Sequence, residues 1–189
     1  MATIYNTATT LDGFLATTDN SLDWLFAVEG SADAESSFPA FLEGIGAMAM
    51  GSTTYEWLLE HEALVDEPQK WQEWYADRPT WVFTHRDLPV VPGADIRFVR
   101  GDVREPHAAM VAAAGPRDVW VMGGGDLVGQ LADAGLLDTI VATIAPVTLG
   151  RGAPLLPRDI RSDRLRLVGV DQRGQFAELT YAVGPVAPG

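Results

Sequence analysis

The sequence predicts an α/β domain on a mostly parallel central sheet, closed at its C-terminal end by an antiparallel hairpin. Three observations lead there. Apolar runs of strand length alternate with helical segments through most of the 189 residues, the order that builds parallel sheets. One such run, Val119-Trp120-Val121-Met122, stops at Gly123-Gly124-Gly125-Asp126, as a buried strand does on entering a helix. Two extended runs, 164–171 and 175–183, flank Arg173-Gly174 and read as a hairpin.

In chain order, residues 4–9 read as the first strand and 10–20 as a polar, irregular stretch. Residues 36–43 form a helix, and Ala47-Met48-Ala49-Met50 a short buried strand ending at Gly51. The helix over 53–61 takes Ser52 or Thr53 as its N-cap. Strands at 80–84 and 95–99 are separated by the turn signal Val91-Pro92-Gly93. Asp102-Val103-Arg104-Glu105 has capping-box spacing and opens an alanine-rich helix that stops at Gly115. After the glycines, Asp126 caps a short helix that buries Leu127, Val128 and Leu131 and ends at Gly135. Residues 139–146 read as a strand and 149–156 as a loop.

Composition narrows the function classes. At 189 residues and 47% hydrophobic content, the chain is expected to form a single domain, residues 1–189, with a sizeable core. A net charge of −13 opposes nucleic-acid binding, which requires a basic face. The chain has no cysteine and three scattered histidines, so no metal site is expected. No window approaches the roughly 20 apolar residues of a membrane span, no leader pattern is visible, and the expected compartment is the cytoplasm. Lys70 is the sole lysine, which excludes a Gly-Lys-Ser/Thr phosphate loop. An anionic ligand must therefore be held by backbone amides and a few arginines.

Three strand ends carry that chemistry. Gly51-Ser52-Thr53-Thr54 and Gly123-Gly124-Gly125-Asp126 each offer a helix start, where unpaired N–H groups and the dipole favour an anion. Thr84-His85-Arg86 adds a hydroxyl, an imidazole and a guanidinium suited to a ribose phosphate. In an open α/β sheet such ends converge beyond the C-terminal edge of the strands. Taken singly, the glycine cluster reads equally well as a tight turn with glycines for packing. A classical dinucleotide fingerprint is opposed by Val128, which stands where the third glycine of G-x-G-x-x-G belongs, and by the motif's late position.

The order of these motifs resembles the dihydrofolate reductase-like family, in the branch of the C-terminal reductase domain of riboflavin-pathway deaminase-reductases. The resemblance rests on Thr10-Leu11-Asp12-Gly13-Phe14-Leu15-Ala16, Asp23-Trp24-Leu25, Met50-Gly51-Ser52-Thr53-Thr54-Tyr55-Glu56, Val121-Met122-Gly123-Gly124-Gly125-Asp126-Leu127 and Pro146-Val147-Thr148-Leu149-Gly150-Arg151-Gly152. It implies a three-layer α-β-α fold and an NADPH-dependent reductase that hands a hydride to a small heterocycle such as a pteridine or pyrimidine. By similarity, Ala8 and Leu15 position the nicotinamide. Gly51, Ser52, Thr53 and Thr54 hold phosphates at one helix start, Gly123, Gly124, Gly125 and Asp126 at the other. Thr84, His85 and Arg86 match the place where the family meets the adenosine 2′-phosphate. Ser52 replaces the family's usual arginine after the glycine, leaving that phosphate to Arg86 and His85 or weakening the preference for NADPH.

In the folate-reducing relatives, an acid after the loop tryptophan binds the heterocycle. Glu29, Asp33 and Glu35 follow Trp24 here, and Asp33 is favoured. Trp24 itself would floor the substrate pocket. The hairpin and the resemblance together imply a homodimer, with strand edges as the motive for pairing. The rival expectation is a nucleotide-binding or assembly module that keeps the fold without turnover.

Overall fold

The computed structural model describes residues 1–31 and 38–186. Its central sheet has eight strands: β1 (Thr3–Thr10), β3 (Ile45–Gly51), β4 (Thr80–Phe83), β5 (Ile96–Val99), β6 (Asp118–Gly123), β7 (Thr139–Ala145), β9 (Leu165–Arg173) and β10 (Phe176–Val183). Their order is β5-β4-β3-β6-β1-β7-β10-β9. The first six are mutually parallel, whereas β10 runs antiparallel to both β7 and β9. A separate two-stranded sheet pairs β2 (Phe14–Ala16) with β8 (Ala153–Pro154).

The helices are α1 (Asp23–Phe26), α2 (Phe38–Glu43), α3 (Ser52–His61), α4 (Gln69–Tyr75), α5 (Arg104–Ala114) and α6 (Gly125–Asp133). Alternation along the strands sorts them onto two faces. Met48, Met50, Val82 and Trp120 pack with Tyr55, Leu58, Leu59, Trp71 and Tyr75 of α3 and α4. On the opposite face, Ala47, Ala49, Trp81 and Val119 meet Met110 and Ala114 of α5, while Tyr5, Val121, Ile140 and Ala142 meet α6. The result is an α-β-α sandwich, the three-layer fold that the resemblance implies. Small residues on β3 let α5 lie close: a Cβ at Gly46 would stand 2.4 Å from the Ala114 carbonyl oxygen.

Several local expectations are corrected. The irregular 10–20 stretch contains β2, and the 149–156 loop contains β8, because each short strand finds its hydrogen-bonding partner only in the other. α4 has no counterpart in the periodicity reading, although Trp71 and Tyr75 place two aromatic rings one turn apart and both are buried. The N-cap of α3 is Gly51, with Ser52 as its first residue. The N-cap of α6 is Gly124, so Asp126 lies inside the first turn, where its carboxylate accepts from Gln130 Nε2 (2.8 Å) and Arg158 Nη2 (2.9 Å) instead of from the helix backbone. Asp102 precedes the N-cap Val103 and accepts from the Arg104 N–H at 2.8 Å. His107 on α5 is half-buried and bonded to the Thr3 hydroxyl at 2.8 Å, and burial pulls its pKa below the usual histidine value.

Chain order explains where the cleft lies. From β1 the chain steps over one strand position to β3, continues outward through β4 and β5, and returns to insert β6 between β3 and β1. The direction of winding changes there, and a crevice opens beyond the strand ends.

Candidate functional site

The crevice begins where β3 and β6 end side by side, with Met50 paired to Gly123. α3 and α6 start at those ends. Ser52, Thr53 and Thr54 on one helix, and Gly125, Asp126 and Leu127 on the other, present N–H groups that have no acceptor within their own helix. The first closing bond of α6 runs from the Val128 N–H to the Gly124 carbonyl.

The three glycines make this approach possible, each differently. A Cβ at Gly123 would meet Thr54 Oγ1 at 2.7 Å. Gly124 has φ +100°, in the left-handed region, and faces the Gly51 backbone. A Cβ at Gly125 would stand 2.3 Å from the Pro154 carbonyl oxygen and 2.7 Å from that of Leu155. Close packing, against the Thr54 side chain at Gly123 and against backbone at Gly124 and Gly125, therefore accounts for the cluster, and the same packing brings two helix starts onto one opening.

Two cavities meet at this point, sharing Thr53, Thr54, Gly124 and Asp126. The first, of about 370 Å³, is polar at its rim: Gly51 and Ser52 lie on one side, Thr84 and His85 at the end of β4, and Arg100 and Gly101 just beyond β5. The buried Thr84 hydroxyl accepts from the Arg86 N–H at 2.9 Å and shapes the turn that carries His85. Arg86 itself does not line the cavity. Its Nη1 lies 2.7 Å from Glu56 Oε2, and its Nη2 donates to Ser52 Oγ at 2.6 Å. Arg100, which sequence reasoning missed, is the arginine that does line it, 3.3 Å from the fully exposed Asp87. Its signal was a basic residue one position after a strand, next to a glycine.

The second cavity, of about 440 Å³, is largely apolar. Ala8 of β1, Leu15 of β2 and Trp24 of α1 line it together with Leu22, Leu25, Trp57, Met122 and Pro154. Thus Ala8, Leu15, Trp24, Thr53, Thr54, Gly123, Gly124, Gly125 and Asp126 all face it, as far apart in sequence as they are. Trp57 is stacked on His61 (centroids 4.3 Å apart, 16° between planes), and Phe26 stacks on His61 at 5.6 Å, tying α1 to α3 at the rim. The buried Trp24 indole N–H has no partner among the described residues.

Asp12 stabilises the wall formed by β2 and β8. Its carboxylate accepts from the Thr10 hydroxyl (2.6 Å) and from the N–H groups of Gly150 (2.7 Å) and Leu149 (3.1 Å). The Thr10 bond foremost, then the backbone donors, hold its pKa below the usual carboxylate range. Gln130 and Arg158 do the same for Asp126. Of the proposed acids, Glu29 is exposed and does not line the cavity, while Asp33 and Glu35 lie outside the described residues.

The family model of the RibD C-terminal domain matches residues 59–177, well over half of the chain. The chain belongs to that family. The uncharacterized protein YwjB of Bacillus subtilis (strain 168) is 29% identical over 179 residues, covering 95% of this chain and 96% of its own. A candidate riboflavin biosynthesis protein from Shewanella sp. PV-4 superposes with a TM-score of 0.76 at 24% identity, covering 97% and 99% of the two chains. The dihydrofolate reductase of Enterococcus faecalis, solved as a complex with NADP(H), superposes with a TM-score of 0.61 at 17% identity and 96% coverage of each. Among the described residues, no helix is long and apolar enough to cross a membrane.

Proposed function

We propose that this RibD C-terminal-like protein is an NADPH-dependent reductase acting on a small heterocycle. The observation that carries the proposal is the junction of two helix starts on adjacent strands with an apolar cavity on one side and an arginine-bearing cavity on the other. The donor set fits a dinucleotide: the N–H groups of residues 52–54 and 125–127 suit a diphosphate, and Arg100 with His85 suits a further phosphate on the adenosine ribose. The glycine packing supports this fit, because a side chain at 123 or 125 would close the approach.

NADPH, when bound, supplies a hydride from its nicotinamide ring. The protein's own task is orientation and exclusion of water. Ala8 and Leu15 offer a flat apolar seat for one ring, and Trp24, Leu25, Trp57 and Met122 enclose space for a second ring. Asp33 is proposed as the acid that binds the heterocycle and favours its protonated form. The second reading, a binding module without turnover, is favoured by one observation: Asp126, the sole carboxylate facing the apolar cavity among the described residues, is held ionised by Gln130 and Arg158 and is no proton donor.

Titration with NADPH, read as energy transfer from the tryptophans, tests cofactor binding, and loss of nicotinamide absorbance with dihydropteridine and aminopyrimidine substrates tests turnover. Binding with turnover on either class supports the reductase. Binding without turnover on any heterocycle leaves the module, and absence of nicotinamide binding removes both.

A further inference from the structure

The reductase reading leaves the substrate open, and the charge map of the cleft narrows it. We infer, resting on that reading, that the substrate is an uncharged ring compound and that phosphorylated heterocycles are refused. The thirteen basic side chains of this chain all lie in the described residues, and none lines the apolar cavity. Residues 32–37 add two acids and no base.

One cation beside the cavity is already committed. Arg158 follows the lining residue Pro157 and lies across α6 against Gly129, where a Cβ would stand 2.7 Å from the guanidinium carbon. There its Nη2 donates to Asp126 at 2.9 Å and its Nε to Asp133 at 2.8 Å. Two carboxylates on one guanidinium leave the cluster net negative. Among the described residues, the only ionisable side chain lining the cavity is therefore an acid, Asp126, in a chain that already carries −13. A phosphate ester placed among Leu22, Leu25, Trp57 and Met122 would lose its hydration without gaining a counter-charge, and would be repelled by Asp126. Arg100 cannot supply that charge, since it faces the other cavity, beyond the helix starts.

The experiment uses matched pairs differing only in a phosphate: 6-hydroxymethyl-dihydropterin and its phosphate ester, and 5-amino-6-ribosylaminouracil and its 5′-phosphate. Quenching of tryptophan fluorescence reads binding to the native protein, both without cofactor and with saturating NADPH. The uncharged member of at least one pair is expected to bind at least tenfold more tightly than its phosphate. Leu22→Arg, or Asn20→Arg on the exposed rim should the first variant fold poorly, is expected to shrink that ratio fivefold or more by adding a counter-charge. Equal or tighter binding of the phosphates overturns the inference, as does failure of all four compounds to bind or an unchanged ratio in a folded arginine variant. Because the cofactor-free titration stands alone, failure to bind NADPH would remove the reductase reading while the preference for uncharged rings is still measured.

Discussion

The two arms of the cleft are made of different materials. On the phosphate side the walls are backbone: helix starts at residues 52–54 and 125–127, held together by glycine contacts, with Arg100 and His85 at the rim. On the apolar side, apart from Gly123 to Gly125, the walls are side chains from four distant stretches, Thr7 to Leu25, Thr53 to Leu58, Met122 to Asp126 and Ala153 to Pro157. Backbone donors recognise an anion whatever residues carry them, so the phosphate role proposed for the first arm does not depend on the side chain at position 52. A side-chain wall has no such tolerance, and relatives sharing the fold are free to differ in what they reduce.

Substitutions that strike one arm and spare the other test this contrast. Gly125→Ala should have the largest effect, because its methyl group would press on two carbonyl oxygens that belong to the chain itself. A loss of about 1–3 kcal/mol in urea unfolding is expected, with weaker binding in both arms. Retention of native stability would mean that the junction yields more easily than the contacts imply.

Arg100→Ala comes next. Removing a charged donor from a phosphate is worth about 1.5–3 kcal/mol, so NADPH affinity should fall roughly tenfold to a hundredfold while NADH affinity holds. Arg86→Ala, which breaks the pairing with Glu56, should leave the NADPH/NADH ratio unchanged. The reverse pattern would return the 2′-phosphate to Arg86.

Trp57→Ala should act on the other arm alone. Loss of an aromatic wall worth about 1 kcal/mol predicts roughly fivefold weaker heterocycle binding with unaltered NADPH binding. Equal weakening of both would show that the arms are not independent.

The smallest effect is expected from acid. The folded-state pKa of Asp12 is depressed, so its contribution is present above the unfolded value of about 3.9 and is lost as pH falls through the lower folded value. Melting temperatures measured from neutral pH downward should drop in that acidic window, and Asp12→Asn should flatten the drop. An unchanged profile in the variant would assign acid sensitivity to other carboxylates.

The phosphate arm was the more legible in sequence because its signals are local. A strand that stops at glycine before a helix can be read within ten residues, and both the 51–54 and 123–126 segments occupy the cleft. Arg86 shows the limit: adjacency to Thr84 and His85 placed it in the motif, but only the fold pairs its guanidinium with Glu56, one turn into α3, and with the Ser52 hydroxyl at the rim. Arg100 was missed because its local signal is weak and only the pairing of β4 with β5 brings residue 100 beside residue 84. Of the apolar arm, Ala8, Leu15 and Trp24 came by resemblance, and nothing local marks Trp57, Met122 or Pro157 as their neighbours.

What the sequence determined by itself was the alternation of strand and helix, the hairpin around Gly174, the two helix starts and the absence of metal-binding thiols, since each follows from residues close together in the chain. The insertion of β6 between β3 and β1, the pairing of β2 with β8, and the commitment of Arg86 and Arg158 to carboxylates were decided only by the tertiary structure. The reason is physical: hydrogen-bond partners and counter-charges are chosen by proximity in space, and 114 residues separate Asn6 from the Trp120 indole N–H that donates to its carbonyl.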